Sequence, residues 1–240
     1  MRTHGYFVTG TDTGAGKTFV SSALIRALAA HGLDVAALKP VASGCRAHAG
    51  RLVSADARRL LAAVNVRQSL PDMTQYAFAP AVSPHLAAAQ AGVPIRWKPI
   101  QSALRTQMQR ADLVIVEGAG GWLAPLGPRV CIADLARALR LPVILVVGLR
   151  LGALNHALLT AESIAAYGLP LAGFIINVRD PRMAFRQGNI DTLRQRIAAP
   201  CLGVVGAGST VRKAAAQIDL LPLLASHPVV EHGTEPQPII

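Results

Sequence analysis

Apolar and polar positions fall into alternating blocks along this 240-residue chain. Short, continuous apolar runs rich in β-branched residues alternate with longer stretches of helical spacing, and glycine- or proline-bearing turns lie between them. Continuous apolar runs of this kind read as strands buried on both faces, the pattern of a parallel sheet. Tyr6-Phe7-Val8 is the first such run, and residues 18–30 read as the helix after it. Residues 34–39 form a second strand ending at Lys39. The polar, glycine-containing stretch 40–55 reads as a loop. Ser54 has the chemistry of an N-cap for a helix running to Val64. Residues 68–84 hold three prolines and no clear period, hence a connection. Ser83-Pro84-His85 opens a helix to residue 91, and 94–110 carries another helical stretch. Further strands are expected at 113–117, 142–147, 171–177 and 201–205. Helices are expected at 132–139, from 150–156 through 167, at 183–197, and after a loop from 207 to 215. This alternation predicts an α/β fold, a doubly wound, mostly parallel sheet flanked by helices, in a single domain over 1–224. Residues 225–240 hold three prolines and little periodicity. They are expected to form a mobile tail or a segment ordered by a partner chain.

Composition narrows the class. Hydrophobic residues make up 52%, enough for a large core, while aromatics make up only 4%, so that core is aliphatic. No apolar run approaches the roughly 20 residues needed to span a membrane; the longest, 141–149, reads as a buried strand. The first strand begins too early to leave room for a signal peptide. Cys45, Cys131 and Cys201 are odd in number and widely spaced, with neither a disulfide framework nor a zinc pattern. A reduced, cytoplasmic setting is expected. The formal net charge is +11, which attracts anions. The arginines are scattered, however, and no aromatic-rich nucleic-acid motif appears, so nucleic acid is not an expected partner. His85, alone near a helix start, reads as structural or surface.

The strongest chemical signal is Gly10-Thr11-Asp12-Thr13-Gly14-Ala15-Gly16-Lys17-Thr18, between the first strand and its helix. Strand, glycine-rich turn, Gly-Lys-Thr and helix form the architecture of a phosphate-binding P-loop. Glycines let successive N–H groups turn inward toward phosphate oxygens. The helix adds its unpaired N–H groups and the positive end of its dipole. Lys17 supplies a full charge for the β/γ-phosphates, and the Thr18 hydroxyl is placed for Mg2+. The spacing departs from G-x-x-x-x-G-K-[ST]: Gly10 comes one residue early and Thr11 fills the first glycine position.

Other candidates gather at predicted strand ends. In open parallel sheets ligands bind outside the carboxyl ends of the strands, which places Lys39 near the P-loop. Asp56, in the first turn of its helix, is either a partner of the helix dipole or a site carboxylate. Leu113-Val114-Ile115-Val116-Glu117 followed by Gly118-Ala119-Gly120-Gly121 has the shape of a Walker B element, whose carboxylate holds Mg2+ directly or through water. Asn177 ends a strand with an amide suited to a base edge.

With these residues in view, the chain from Tyr6 to about Leu224 resembles the dethiobiotin synthetase family. The resemblance rests on 7–13, the modified P-loop, Lys39-Pro40-Val41-Ala42-Ser43-Gly44, Val116-Glu117-Gly118-Ala119-Gly120-Gly121-Trp122, and Gly152-Ala153-Leu154-Asn155-His156. The early first glycine is that family's own spacing. The resemblance implies ATP and Mg2+ as cofactors, 7,8-diaminononanoate and CO2 (or bicarbonate) as small-molecule substrates, and a homodimer with the site near its interface. It implies Lys39 and Lys17 as catalytic cations. It implies a nucleotide site of Gly14, Ala15, Gly16, Lys17, Thr18, Phe19, Asp56, Glu117, Gly118, Ala119, Gly120 and Asn177. Thr18, Asp56 and Glu117 would hold the metal. Ser43 would meet a carbamate, and Gly152 and Asn155 the distant carboxylate of the substrate. Three departures stand out. Gly14 fills a position that is often acidic in the family. Arg150 stands where a lysine can occur. The region 206–213, which should close over the base, is shorter and lacks an aromatic.

Two other classes share a P-loop. Amidoligases related to the cobyrinate synthases carry a glutaminase domain, for which this chain has no space. Partitioning or switch ATPases typically carry an extra lysine early in the loop; none precedes Lys17 here, and a switch has no use for Lys39 and Ser43.

Overall fold

The computed structural model describes residues 5–225; the expected tail lies outside them, apart from Ala225. The chain opens with β1 (Gly5–Gly10), a loop, α1 (Lys17–Ala30) and β2 (Val35–Leu38). A region of short elements follows: β3 (Val41–Ala42), β4 (Arg46–His48), β5 (Arg51–Val53), α2 (Ala55–Leu61), α3 (Leu70–Met73), β6 (Tyr76–Ala77) and α4 (Pro84–Gln90). Then come α5 (Trp97–Met108), β7 (Leu113–Glu117), α6 (Ile132–Leu139), β8 (Val143–Leu149) and α7 (Ala153–Ala166). The described chain closes with β9 (Leu171–Val178), α8 (Arg186–Arg196), β10 (Cys201–Val205), α9 (Val211–Ala215) and α10 (Leu221–Leu224). None of these helices is long and apolar enough to cross a membrane.

Six strands form one parallel sheet in the order β10-β9-β8-β1-β7-β2. Every residue of β1, β2, β7 and β8 is buried. Their sequences are apolar without alternation because helices cover both faces. The period of two survives in where the side chains go. Phe7, Val114, Val116, Val143 and Leu145 pack into one core, with α4 to α8. Tyr6, Val8, Leu113, Ile115 and Ile144 pack into the other, with α1, α2, α9 and α10. The chain steps from β1 out to β2, returns to β7 between them, and then crosses to β8 on the far side of β1. The carboxyl ends of β1 and β7 therefore sit at the reversal of strand order, where such sheets bind ligands.

The long elements match the sequence reading closely, and the differences lie in short ones. The expected loop 40–55 contains β3 and an antiparallel hairpin, β4–β5. Its turn, Ala49-Gly50, has φ of 48° and 75°, the doubly positive turn that suits a two-residue hairpin. Ala-Gly lacks the Asn or Asp that signals such a turn. Ser54 does cap α2, accepting from the N–H groups of Asp56 and Ala57, but the helix ends at Leu61, short of Val64. Within 68–84, the Asp72 carboxylate accepts from the Ser69 N–H and hydroxyl to start α3, and β6 pairs in parallel with β3. The helix expected from 183 begins at Arg186.

One close approach fixes the geometry of the loop after β1. A Cβ on Gly148 of β8 would stand 2.8 Å from the Ala15 Cα, closer than such atoms pack. Gly148→Ala should therefore push the loop off the sheet and cost about 1–3 kcal/mol of stability. Gly14 has φ +81° but open space around it, so Gly14→Ala should cost only the left-handed strain, about 1–2 kcal/mol, without moving Ala15. Thermal unfolding and the amide spectrum of the loop separate the two. A parental melting point and unshifted loop amides in Gly148→Ala would contradict the close approach.

Candidate active site

The loop from Gly10 to Gly16 is shaped by its neighbours as much as by its glycines. The Thr11 N–H donates to the Val146 carbonyl at 3.0 Å, and the Thr11 hydroxyl accepts from the Gly148 N–H at 3.3 Å. A threonine thus works at the usual first glycine position because its side chain ties the loop to β8. A Cβ on Gly10 would lie 3.0 Å from the Lys17 Cγ, so the early glycine makes room for the lysine stem folding back over it. The Asp12 carboxylate accepts from the Thr13 N–H at 2.7 Å and from Arg150 at 2.9 Å. The Arg150 contact, from the β8–α7 connection, has no signal in the residue pattern. Gly148 was equally hidden, since a strand-end glycine has no signature of its own.

Gly16, with φ +94°, caps α1 without a side chain, and the first turn of α1 holds no acidic residue. The free N–H groups and the dipole of the helix start are therefore not taken by an acidic residue of the helix itself, which suits phosphate. Lys17 is buried, and its ammonium donates to the Asp12 carbonyl at 3.1 Å. Burial pushes its pKa down to about 8; the Lys39 charge lowers it too, while Glu117, Asp56 and Asp12 pull it back up. Asn177, at the end of β9, donates to the Ala15 carbonyl at 2.8 Å. A Cβ on Gly16 would stand 2.0 Å from that amide nitrogen, so Asn177 lies directly beneath the loop and holds it from below.

Glu117 is fully buried at the tip of β7. Its Oε1 accepts from the Thr18 hydroxyl at 2.7 Å and from the Lys39 ammonium at 2.7 Å. Lys39, also buried, donates a second hydrogen bond to the Gly118 carbonyl at 2.9 Å and stands 3.7 Å from Asp56 Oδ2. The helix after the P-loop, the end of β2, the end of β7 and the first turn of α2 thus meet at one carboxylate. Glu117 Oε2 is buried with no hydrogen-bond partner among the described residues. A buried, unpartnered carboxylate oxygen is costly unless something binds it.

These residues fit Mg2+. A threonine hydroxyl, an orphaned carboxylate oxygen and the half-exposed Asp56 are hard oxygen donors. Among the described residues no group of three or more His, Cys, Asp and Glu side chains forms a metal site. The chain thus offers a partial shell, as suits an ion that also takes phosphate oxygens and water. Ser43 lies just past β3 on a stretch pinned by the bonds of the Gly44 and Cys45 N–H groups to the carbonyls of Pro80 and Phe78, both 2.9 Å. The Gly118–Gly121 turn begins with the Gly118 N–H bonded to the Val8 carbonyl. It ends at Trp122, buried with its ring edge-on to Tyr167, 5.8 Å between centroids. Phe19 is half-buried in the first turn of α1. Gly152 (φ +87°) and Asn155 open α7, with no side-chain cap, and neither bonds any group of the Glu117 cluster. In the region 206–213, Thr210 caps α9 by accepting from the Lys213 N–H at 3.3 Å.

A family model described as an AAA domain matches residues 4–214. A Pseudomonas aeruginosa protein named ATP-dependent dethiobiotin synthetase BioD is 48% identical over 221 residues, 91% of this chain and 97% of that protein. A Cellvibrio japonicus protein of the same name is 45% identical over 226 residues, 93% of this chain and 99% of that protein. Among solved structures, a ParA family ATPase from Chlorobium tepidum superposes with a TM-score of 0.52, covering 94% of this chain and 92% of that one at 14% identity. That similarity concerns the P-loop fold alone. At nearly half identity over nearly full length, this chain belongs to the ATP-dependent dethiobiotin synthetase family.

Proposed function

We propose that the chain is a C–N bond-forming ligase that uses ATP, Mg2+ and CO2 to close the ureido ring of dethiobiotin on 7,8-diaminononanoate. One observation carries the reading beyond nucleotide binding: a second buried ammonium, Lys39, shares the Glu117 oxygen with the P-loop threonine. A switch or motor needs only the threonine and the carboxylate. A lysine ammonium has three N–H groups. Two of them are bonded, to Glu117 and Gly118; the third makes no hydrogen bond, with Asp56 Oδ2 3.7 Å from the ammonium, and can turn to a substrate oxygen.

One amine of the diamine adds to CO2 and loses a proton, giving a carbamate. A carbamate oxygen attacks the γ-phosphorus and ADP leaves. The second amine attacks the carbonyl of the mixed anhydride, phosphate departs with the C–O oxygen, and the ring closes as that amine loses a proton. The inward N–H groups of the loop and Lys17 hold the β/γ-phosphates. The third N–H of Lys39 donates to carbamate and phosphoryl oxygens as their charge grows, a donor pre-oriented by two fixed bonds. Ser43 positions the carbamate. Mg2+ held by Thr18, Asp56 and Glu117 would neutralise phosphate charge. Asn177, already fixed under the loop, offers its remaining amide edge to the base, and Phe19, Ala15 and Gly118 to Gly120 line the nucleotide.

The substrate carboxylate lies several carbons from the reacting amines and needs its own site. The start of α7 at Gly152 and Asn155 presents free N–H groups to it. Leu151, Leu159 and Leu123 are exposed on this side, Leu151 at 92%. A second copy covering them would make the homodimer, and the reduced cysteines suit a cytoplasmic setting.

Lys39→Gln keeps a donor for Glu117 but loses the charge, so turnover should fall by about 100- to 1000-fold while nucleotide affinity changes little. Steady-state kinetics beside nucleotide titration would show this, and near-parental turnover would refute the role. Lys17 gives a pH prediction. Its pKa near 8 in the free protein must rise when phosphate oxygens surround it. Below pH 8 the lysine is already charged; above it, nucleotide binding takes up a proton and affinity falls by up to about tenfold per pH unit. Calorimetry at pH 8.5 in buffers of different ionisation enthalpy should report proton uptake, and uptake should vanish in Lys17→Met. Buffer-independent heats in the parental protein would contradict this assignment.

A further inference from the structure

Three surface ion pairs among the described residues stay within one helix. Arg59 with Asp56, Arg137 with Asp134 and Arg194 with Asp191 each join residues one helical turn apart, the spacing at which a helix face brings side chains together. The pair of Arg150 with Asp12 is different. It joins the connection after β8 to the P-loop, 138 positions away in the sequence, at 2.9 Å. It is also the last of three bonds made by alternate residues along β8 and just past it. The Val146 carbonyl accepts from the Thr11 N–H at 3.0 Å, the Gly148 N–H donates to the Thr11 hydroxyl at 3.3 Å, and Arg150 donates to the Asp12 carboxylate. Every second residue of a parallel strand turns its backbone groups to the same side, so β8 holds Thr11 and Asp12 at three successive points.

Asp12 is fixed at both ends as a result. One carboxylate oxygen takes Arg150, and the other takes the Thr13 N–H at 2.7 Å. Its carbonyl accepts from the Lys17 ammonium at 3.1 Å and from the Ala15 N–H at 3.4 Å. Packing does not hold this part of the loop. The space at Gly14 is open, and Gly14 and Gly16 both have positive φ, +81° and +94°. Glycines lose the most freedom on being ordered, so without an outside anchor the turn from Asp12 to Gly16 would fluctuate, and the ammonium resting on it would fluctuate too. We propose that Arg150 is a positioning residue for Lys17: by fixing the Asp12 carboxylate it fixes the Asp12 carbonyl, against which the Lys17 ammonium is set. The guanidinium also balances the Asp12 charge, which would otherwise add a negative charge to a loop suited to an anion. This role rests on the proposed one for Lys17 as the cation at the β/γ-phosphates, and it deepens that reading by naming the residue that aims the cation.

The test is calorimetric titration of the full chain with ATP and Mg2+. Arg150→Met should weaken ATP binding about fivefold, near the most that a half-exposed ion pair contributes. Arg150→Lys keeps a cation within reach of Asp12 and should bind ATP within about twofold of the parental protein. Asp12→Asn keeps an acceptor for the Thr13 N–H but loses the charge; it should lose a similar factor, and adding Arg150→Met to it should lose no more. The decisive comparison is made in Lys17→Met. That variant alone should bind ATP more weakly, and Arg150→Met should then cost nothing further, because the guanidinium acts through the ammonium. A residue that only stabilised the fold would weaken binding by the same factor in either background. Arg150 and Asp12 are half-exposed, so their variants should fold, and melting points check each one. Parental affinity in Arg150→Met, a loss that persists undiminished in Lys17→Met, or a failure of Arg150→Lys to rescue would overturn the positioning role alone. Parental affinity in Lys17→Met would overturn the phosphate role of Lys17 and the role of Arg150 with it.

Discussion

A carboxylate with no solvent exposure must be matched by donors where it stands, because an isolated buried charge costs several kcal/mol. Glu117 is that carboxylate, and much of the site geometry follows from matching it. Thr18 meets it from the first turn of α1 and Lys39 from the end of β2. Both depend on register. β1 and β7 pair with Val8 opposite Glu117, and β2 and β7 pair with Leu38 opposite Val116. A slip of one residue would turn Glu117 to the other face of the sheet and strand the ammonium of Lys39. The apolar alternation along β7, with Val114 and Val116 to one core and Leu113 and Ile115 to the other, holds that register. Packing far from the site thus sets the position of a charge within it.

The remaining oxygen of Glu117 links stability to function. In a core built for stability alone, Oε2 would have found a donor. Left unpartnered, it is a local cost that a bound cation or its water relieves. Lys17 makes a parallel case. Burial depresses its pKa, so the loop by itself holds a cation less willingly than water would, and phosphate oxygens would restore its charge. Both features lower the stability of the free site in favour of binding.

The long strands were legible in the sequence because burial on two faces writes a continuous apolar run. The P-loop was legible because few other uses require glycines before Lys-Thr at a helix start. Glu117 stood out as an acid closing an apolar run. Other features were not visible in residue types. The β4–β5 hairpin turns on Ala49-Gly50, where only the observed positive φ values betray it. The helix at Ala55 stops early and the strands β3 and β6 hold two residues each, too short to show a period. Gly148 and the Arg150–Asp12 pair are contacts between distant segments, and a single sequence carries no trace of which strand end faces which loop. Asn177 was read as a base contact from its place at a strand end. The structure adds its bond to Ala15, a structural duty that sequence position did not reveal.

The proposed phosphorylation of a carbamate at the Lys39–Glu117 pair is tested most directly by isotopic oxygen. When 7,8-diaminononanoate, ATP and 18O-labelled CO2 are turned over rapidly, before exchange with water, mass spectrometry should detect dethiobiotin. The phosphate released should carry one labelled oxygen from the carbamate. Unlabelled phosphate, or ATP hydrolysis without dethiobiotin, would mean that water attacks the γ-phosphorus and would contradict the mechanism.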